Sequence, residues 1–128
     1  MNDTISTLGD IVRTHARERD DRRALVAGDR SWTYAELYTD SCRAANALAA
    51  VGVGPGDRVA FLDRNVPEYF AFLYGTAMLN ATTVSVNWRL AAPEMNWILD
   101  NAEAKVLLIG VEFLGHLATM ELATVTTV

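Results

Sequence analysis

The amino-acid sequence predicts an α/β fold in which βαβ units form a mostly parallel sheet flanked by helices. Residues 58–62 and 105–109 have the near-continuous apolar pattern of strands that are buried on both faces. A β-branched run at 82–86 lies between them, and segments with helical periodicity separate the three runs. Strands and helices that alternate at this spacing favour right-handed crossovers between parallel strands.

The segments before the first buried run predict a helix and then a small hairpin. Apolar residues recur at helical spacing over residues 7–19, which are therefore expected to form a leading helix. Residues 24–27 and 31–33 flank a Gly-Asp-Arg turn and are expected to form the two arms of the hairpin.

A strong local signal marks the start of the next helix. Thr33 and Glu36 have the spacing of a capping box, in which each side chain accepts a hydrogen bond from the other residue's backbone N–H. Trp32 and Leu37 occupy the two positions of a hydrophobic staple. The helix is expected to run to about Ala50, with mostly small side chains on one face.

The later elements follow from capping residues and periodicity. Asn65 is expected to cap a helix that is apolar nearly all round, and Asn80 to close it in the left-handed conformation. Residues 92–102 carry an apolar stripe typical of a helix. A short helix is expected over 112–122 and a last strand over 124–128.

Composition excludes several classes of protein. The 128 residues are 51% hydrophobic, so they can bury a core. The 11 Lys and Arg against 16 Asp and Glu argue against a nucleic-acid partner, which needs clustered basic side chains. The single cysteine, Cys42, excludes an internal disulfide and a Cys-based zinc site. Because no signal-peptide pattern or membrane-spanning apolar run is present, the expected location is the cytoplasm.

No motif in the sequence carries chemistry by itself. The glycine cluster 52–56 leaves a helix and opens a strand, the reverse of a phosphate loop, so it is interpreted as a structural turn. His15 and His116 lack the spacing of metal ligands. Asp20 and Asp21 lie in a charged loop and are interpreted as solvated. Cys42 has no base nearby in sequence that could activate its thiol. We therefore assign no catalytic, cofactor-binding or metal-binding residue to this chain.

A series of short motifs nevertheless has a specific order. They are Thr-Tyr-Ala-Glu-Leu at 33–37, Gly-Val-Gly-Pro-Gly-Asp-Arg-Val-Ala at 52–60, Asn65 with Glu68, the segment 75–87, Asn-Trp-Arg-Leu-Ala at 87–91 with Glu94, and Lys-Val-Leu-Leu at 105–108. Together they resemble the N-terminal region of the adenylate-forming enzymes, which include acyl-CoA synthetases, adenylation domains and luciferases. The resemblance covers roughly residues 7–128 and is greatest to bacterial fatty-acyl-CoA synthetases.

The sequence departs from the family pattern at two of these positions. Asn80 stands where the family usually has glycine, and Ser85 where it usually has proline. Asparagine tolerates the left-handed conformation and serine is compatible with a strand, so the same fold is expected.

The resemblance implies an activity for a longer parent enzyme. That parent would use ATP and Mg²⁺ to form an acyl-adenylate from a fatty acid, and would then transfer the acyl group to coenzyme A. The family's phosphate loop, adenine-binding segment, ribose-binding aspartate and C-terminal lysine come later than the region that this chain resembles. The chain alone is therefore expected to be inactive and to hold no cofactor.

The expected domain is partial and covers residues 1–128. It consists of a leading helix and hairpin at about 7–33 and a βαβ layer at about 34–128. Two alternatives remain. One is a stand-alone interaction module, expected to self-associate as a dimer or by domain swapping. The other is a flavodoxin-like or receiver-like domain, for which Asp63 is the only carboxylate directly after a buried strand.

Overall fold

The computed structural model describes residues 5–128, so the first four residues of the expected domain lie outside the described part. The helices and strands are, in chain order, α1 (Leu8–Glu18), β1 (Arg23–Ala27), β2 (Arg30–Thr33), α2 (Tyr34–Ala50), β3 (Arg58–Leu62), α3 (Glu68–Met78), β4 (Thr82–Ser85), α4 (Ala92–Asn101), β5 (Val106–Ile109) and a 3₁₀ helix (Val111–Thr119). They belong to two compact units that alternate along the chain. The first unit runs to Gly52 and includes Val66–Leu79; the second comprises Val53–Asn65 and Asn80–Val128.

The first unit contains α1, the hairpin, α2 and α3. Strands β1 and β2 pair antiparallel as predicted, with a left-handed glycine, Gly28, in the turn between them. The predicted capping box of α2 is confirmed: the Thr33 hydroxyl accepts from the Glu36 N–H at 3.2 Å, and the Glu36 carboxylate accepts from the Thr33 N–H at 2.8 Å. A second capping box, formed by Thr7 and Asp10, begins α1 and was not foreseen from the sequence.

Helices α2 and α3 approach each other closely at Gly75. A Cβ atom added there would lie 2.8 Å from both the Ala44 Cβ and the Ser41 carbonyl oxygen. Ser41 is fully buried and donates its hydroxyl to the Leu37 carbonyl at 2.7 Å, one turn earlier in α2. The small face predicted for α2 therefore serves a close helix–helix contact.

The second unit confirms the predicted parallel sheet. Its strand order is β4-β3-β5, and Ala60 in the central strand pairs with Val84 on one side and Leu107 on the other. Helix α4 supplies Met95 and Leu99, both completely buried, to the hydrophobic core of this unit. This burial follows from the apolar stripe that predicts the helix.

Three expectations about element ends were wrong. Asn65 does not cap α3: the helix begins at Glu68, its capping position is Pro67, and no side chain caps it. The helix expected over 112–122 is instead a 3₁₀ helix at Val111–Thr119, and Gly115 within it lowers the propensity for an α-helix.

The third wrong expectation concerns residues 124–128. Instead of a strand they make one parallel bridge, between Val106 and Thr127, with one backbone hydrogen bond to Leu107 of β5 and one to Lys105 just before it. The predicted left-handed conformation of Asn80 is confirmed, with φ of 55°, and Gly52 in the glycine turn adopts it too, with φ of 86°. Across residues 5–128, every helix is too short or too polar to cross a membrane.

Candidate functional site

The candidate site lies at the carboxyl ends of β3 and β5, in the second unit. The chain passes from β3 to β4 on one side and then to β5 on the other side, so the strand order reverses between β3 and β5. Open parallel sheets bind their ligands outside the carboxyl ends of the strands at such a reversal. The residues that follow the two strands there, called the carboxyl edge below, are Asp63, Arg64, Gly110 and Glu112.

Asp63 and Gly110 form the tightest contact of the carboxyl edge. The Gly110 N–H donates to the Leu62 carbonyl at 2.9 Å, which continues the pairing of β5 with β3 by one residue. The Asp63 carboxylate accepts from the Arg64 N–H at 2.7 Å and lies directly over the Gly110 Cα, where any Cβ atom would overlap it. Glycine is therefore required at position 110 for the carboxylate to lie in this place.

Arg64 joins the edge to an aromatic group. Its guanidinium pairs with the Glu112 carboxylate at 2.9 Å, but both side chains are more than half exposed, so the pair adds little stability. The same guanidinium lies 5.0 Å from the centre of the Trp88 ring, and that of Arg89 lies 4.2 Å from it. Phe113 packs on Trp88 at 5.8 Å. These contacts suit binding through charge and stacking, because none places a nucleophile beside a base.

The tight contact gives a prediction. Gly110→Ala is expected to destabilise the chain by about 1–3 kcal/mol, because the new Cβ atom displaces the Asp63 carboxylate. In an Asp63→Ala background the same change should cost much less, since the displaced group is gone. Urea unfolding of the wild type, the two single variants and the double variant measures the coupling. Gly115→Ala, at a glycine with open space around it, is the control. If Gly110→Ala lowered the free energy of unfolding equally with and without the Asp63 carboxylate, the contact between the two residues would be contradicted.

At the opposite ends of β3 and β5, Asp57 closes the glycine turn. Its carboxylate accepts from the Gly54 N–H at 2.8 Å and from the Lys105 Nζ at 3.0 Å. Two hydrogen bonds hold the pKa of Asp57 below its usual range. The larger effect comes from the Gly54 backbone N–H, and the next from the Lys105 side-chain ammonium group. The glycine cluster thus forms the structural turn that the sequence predicts.

The lowered pKa of Asp57 predicts a pH dependence. The contribution of the carboxylate to stability is fully present above the carboxyl's unfolded pKa of about 3.9, and is lost as the pH falls through the lower folded value. Asp57→Asn is therefore expected to lower the free energy of unfolding at pH 7, with a smaller difference from the wild type at pH 3. Asp29→Asn, in the exposed hairpin turn, should differ little at either pH. A difference that grows at pH 3 would contradict the assignment.

The residues weighed from the sequence are dispersed. The half-buried His15 packs its ring 5.0 Å from that of Tyr34, and His116 stacks on Phe113 at 6.3 Å. Cys42 lies half-buried in α2. Among residues 5–128, no three His, Cys, Asp or Glu side chains are placed to hold a metal ion.

Sequence reasoning missed the contact between Asp63 and Gly110 and the role of Trp88. A signal for the first was available: both residues directly follow strands predicted to be parallel, and such ends meet at one edge of a sheet. The packing of two guanidinium groups on Trp88 depends on loop conformation, which local patterns do not specify.

The sequence matches the model of the AMP-binding enzyme family over residues 12–127. The chain belongs to this family. The family assignment confirms the resemblance to adenylate-forming enzymes that the ordered motifs indicate. It also replaces the flavodoxin-like alternative.

Individual relatives of this AMP-binding family member support the family assignment. Fatty acid–[acyl-carrier-protein] ligase ScoC of Streptomyces coeruleorubidus is 38% identical over 85% of this chain and 21% of its own length. Long-chain-fatty-acid–CoA ligase FadD13 of Mycobacterium tuberculosis is 44% identical over 61% of this chain and 16% of its own. The crystal structure of the N-terminal domain of FACL13 from M. tuberculosis superimposes with a TM-score of 0.91, at 33% identity, over 96% of this chain and 33% of that one. The chain thus spans about a fifth of these curated relatives.

Proposed function

We propose that this chain is the N-terminal part of an ATP-dependent ligase that joins a fatty acid to coenzyme A. The observation that carries the proposal is the family match over nearly the whole chain, supported by two relatives named as fatty-acid ligases. In the proposed reaction the fatty-acid carboxylate attacks the α-phosphorus of ATP and displaces pyrophosphate. The thiolate of coenzyme A then attacks the acyl carbon and displaces AMP.

The contribution of this chain to that reaction is structural. Its motifs that match the family form caps, turns and buried strands, as the Thr33 capping box and the Asp57 turn show. Its described carboxylates do not cluster as a Mg²⁺ site requires, so no step is assigned to that ion here. We infer that the chain by itself does not activate fatty acids.

An assay of pyrophosphate release tests this inference directly. The purified 128-residue chain, given a fatty acid, ATP and coenzyme A, is expected to release no pyrophosphate above the blank. Sustained turnover that depends on the fatty acid would overturn it.

The proposed parent activity needs a separate test. The gene is sequenced beyond codon 128, and the whole reading frame is expressed. The frame is expected to continue into a Ser/Thr/Gly-rich loop that ends in Lys-Gly, and its product should release pyrophosphate only when a fatty acid is present. A product that activates other acids but no fatty acid would refute the proposed substrate class.

Self-association is a second proposed property, and the second unit supplies the observation that favours it. Among the described residues β4 forms one edge of the sheet, and its Thr82 is exposed. Large apolar side chains are also exposed in this unit, including Trp97 at 67% and Val111 at 83%. Open edges and exposed apolar groups promote pairing with a second copy.

Light scattering after size exclusion tests the self-association. A dimer, with twice the 14.0 kDa mass of one chain, is expected. Thr82→Lys should shift it to monomer, because a charge blunts a strand edge. Ser31→Lys, in the hairpin, is the matched control and should stay dimeric. A monomeric wild type at all concentrations would rule the property out.

A further inference from the structure

A small cavity in the first unit is lined mainly by arginines. It is an open depression of about 340 Å³ at the surface, where the loop after α1 meets the start of α2. Its lining consists of Arg19, Arg22, Arg23 and Tyr34. Cavities that hold small ligands begin at about this size.

The backbone holds these four residues in place. The Arg19 N–H donates to the His15 carbonyl at 2.8 Å and so ends α1, and the Arg22 N–H donates to the Arg19 carbonyl at 3.0 Å. The Tyr34 N–H then donates to the Arg22 carbonyl at 2.9 Å, which fixes the loop to the first residue of α2. Arg23 begins β1 and is paired with Thr33. The arginine stems therefore start from a fixed frame, which lowers the entropy lost when a ligand binds.

The guanidinium groups of this cavity have no carboxylate partners among residues 5–128. Five other arginines of the described chain form ion pairs: Arg13, Arg30, Arg43, Arg58 and Arg64. Neither Asp20 nor Asp21, the acidic residues of the same loop, lines the cavity. Three like charges around one cavity repel each other, and a bound anion would remove that repulsion.

We propose that this arginine pocket binds a phosphate group carried by a small soluble molecule. A guanidinium matches phosphate oxygens with two parallel hydrogen bonds, which makes arginine the preferred side chain for this recognition. Tyr34 supplies an aromatic wall for the rest of the ligand. The proposal goes beyond the ligase function, since none of its residues belongs to the carboxyl edge.

Titration calorimetry with inorganic pyrophosphate tests the pocket, with the full chain at constant ionic strength. One saturable site is expected. Arg22→Gln should weaken it about tenfold, because one charge-assisted pair of hydrogen bonds is lost. Arg22→Lys should recover only part of the affinity, since lysine keeps the positive charge but cannot donate two parallel hydrogen bonds to the phosphate. Arg43→Gln is the matched control: it removes the same charge from an arginine that already pairs with Asp40.

Two further arms make the test decisive. Circular dichroism shows whether each variant keeps the wild-type fold, and the three variants of the series differ from the wild type only in exposed side chains. Vesicles that contain phosphatidic acid separate a lipid headgroup from a soluble phosphate. Absence of saturable pyrophosphate binding, equal weakening by Arg43→Gln, or binding to vesicles alone would each overturn the proposal.

Discussion

Replacing Gly75 with alanine is expected to destabilise the chain by about 2–3 kcal/mol. The added methyl group would lie 2.8 Å from a carbonyl oxygen and from the Ala44 Cβ in α2, well inside contact distance. Overpacking of this kind costs about 1–3 kcal/mol and more where backbone must move. The gain of about 1 kcal/mol in helix propensity from glycine to alanine offsets only part of that cost.

Urea unfolding followed by circular dichroism measures the effect of Gly75→Ala. Gly115→Ala is the matched control, because an added Cβ there meets nothing within 4 Å. It should leave stability nearly unchanged. If the two variants unfold at the same urea concentration, α2 and α3 do not touch at Gly75 as described.

Truncation of Leu99 to alanine is expected to cost about 3 kcal/mol. Leu99 is completely buried in α4 and belongs to the core of the second unit, which includes Met95 and Leu62. Loss of a buried leucine removes its transfer free energy and leaves a cavity, which together cost about 2–5 kcal/mol.

The exposed neighbour provides the comparison for Leu99. Trp97→Ala removes a larger side chain, but Trp97 is 67% exposed, so the change should stay within about 0.5 kcal/mol. Both variants are compared by denaturant midpoint. Equal destabilisation by the two changes would contradict the assignment of these two faces of α4.

Much of this fold could be predicted because its signals are local. Thr33 and Glu36 specify a helix start by spacing alone, and the Asn80 backbone adopts the left-handed conformation that asparagine tolerates. The buried runs of β3 and β5 carry the hydrophobic pattern of parallel strands. Patterns of this kind need no knowledge of the rest of the chain.

The wrong predictions concern features that local sequence patterns do not specify: which residue caps a helix and whether a strand finds a partner. Asn65 has the chemistry of a cap, but Pro67 occupies the capping position and the helix begins one residue later. The β-branched run near Thr127 has strand propensity, but a strand also needs a partner, and β5 offers it only one bridge.

The candidate site was hidden for a related reason. Asp63 follows one strand and Gly110 another, so nothing in the local sequence connects them. Their contact follows from the pairing of β3 with β5, which brings the two strand ends together at one edge of the sheet. The motifs that identify the family are scaffold motifs, which is why they indicate the fold more strongly than any chemistry.

The position of β3 at the centre of its sheet has a consequence for biosynthesis. The ribosome makes Ala60 well before its two partners, Val84 and Leu107. At about 5–20 residues per second, the most buried strand of the sheet waits several seconds for both neighbours. During that interval its side chains are open to chaperones or to another nascent chain. Slow codons between the two partner strands would lengthen the exposure and are expected to lower the yield of native protein.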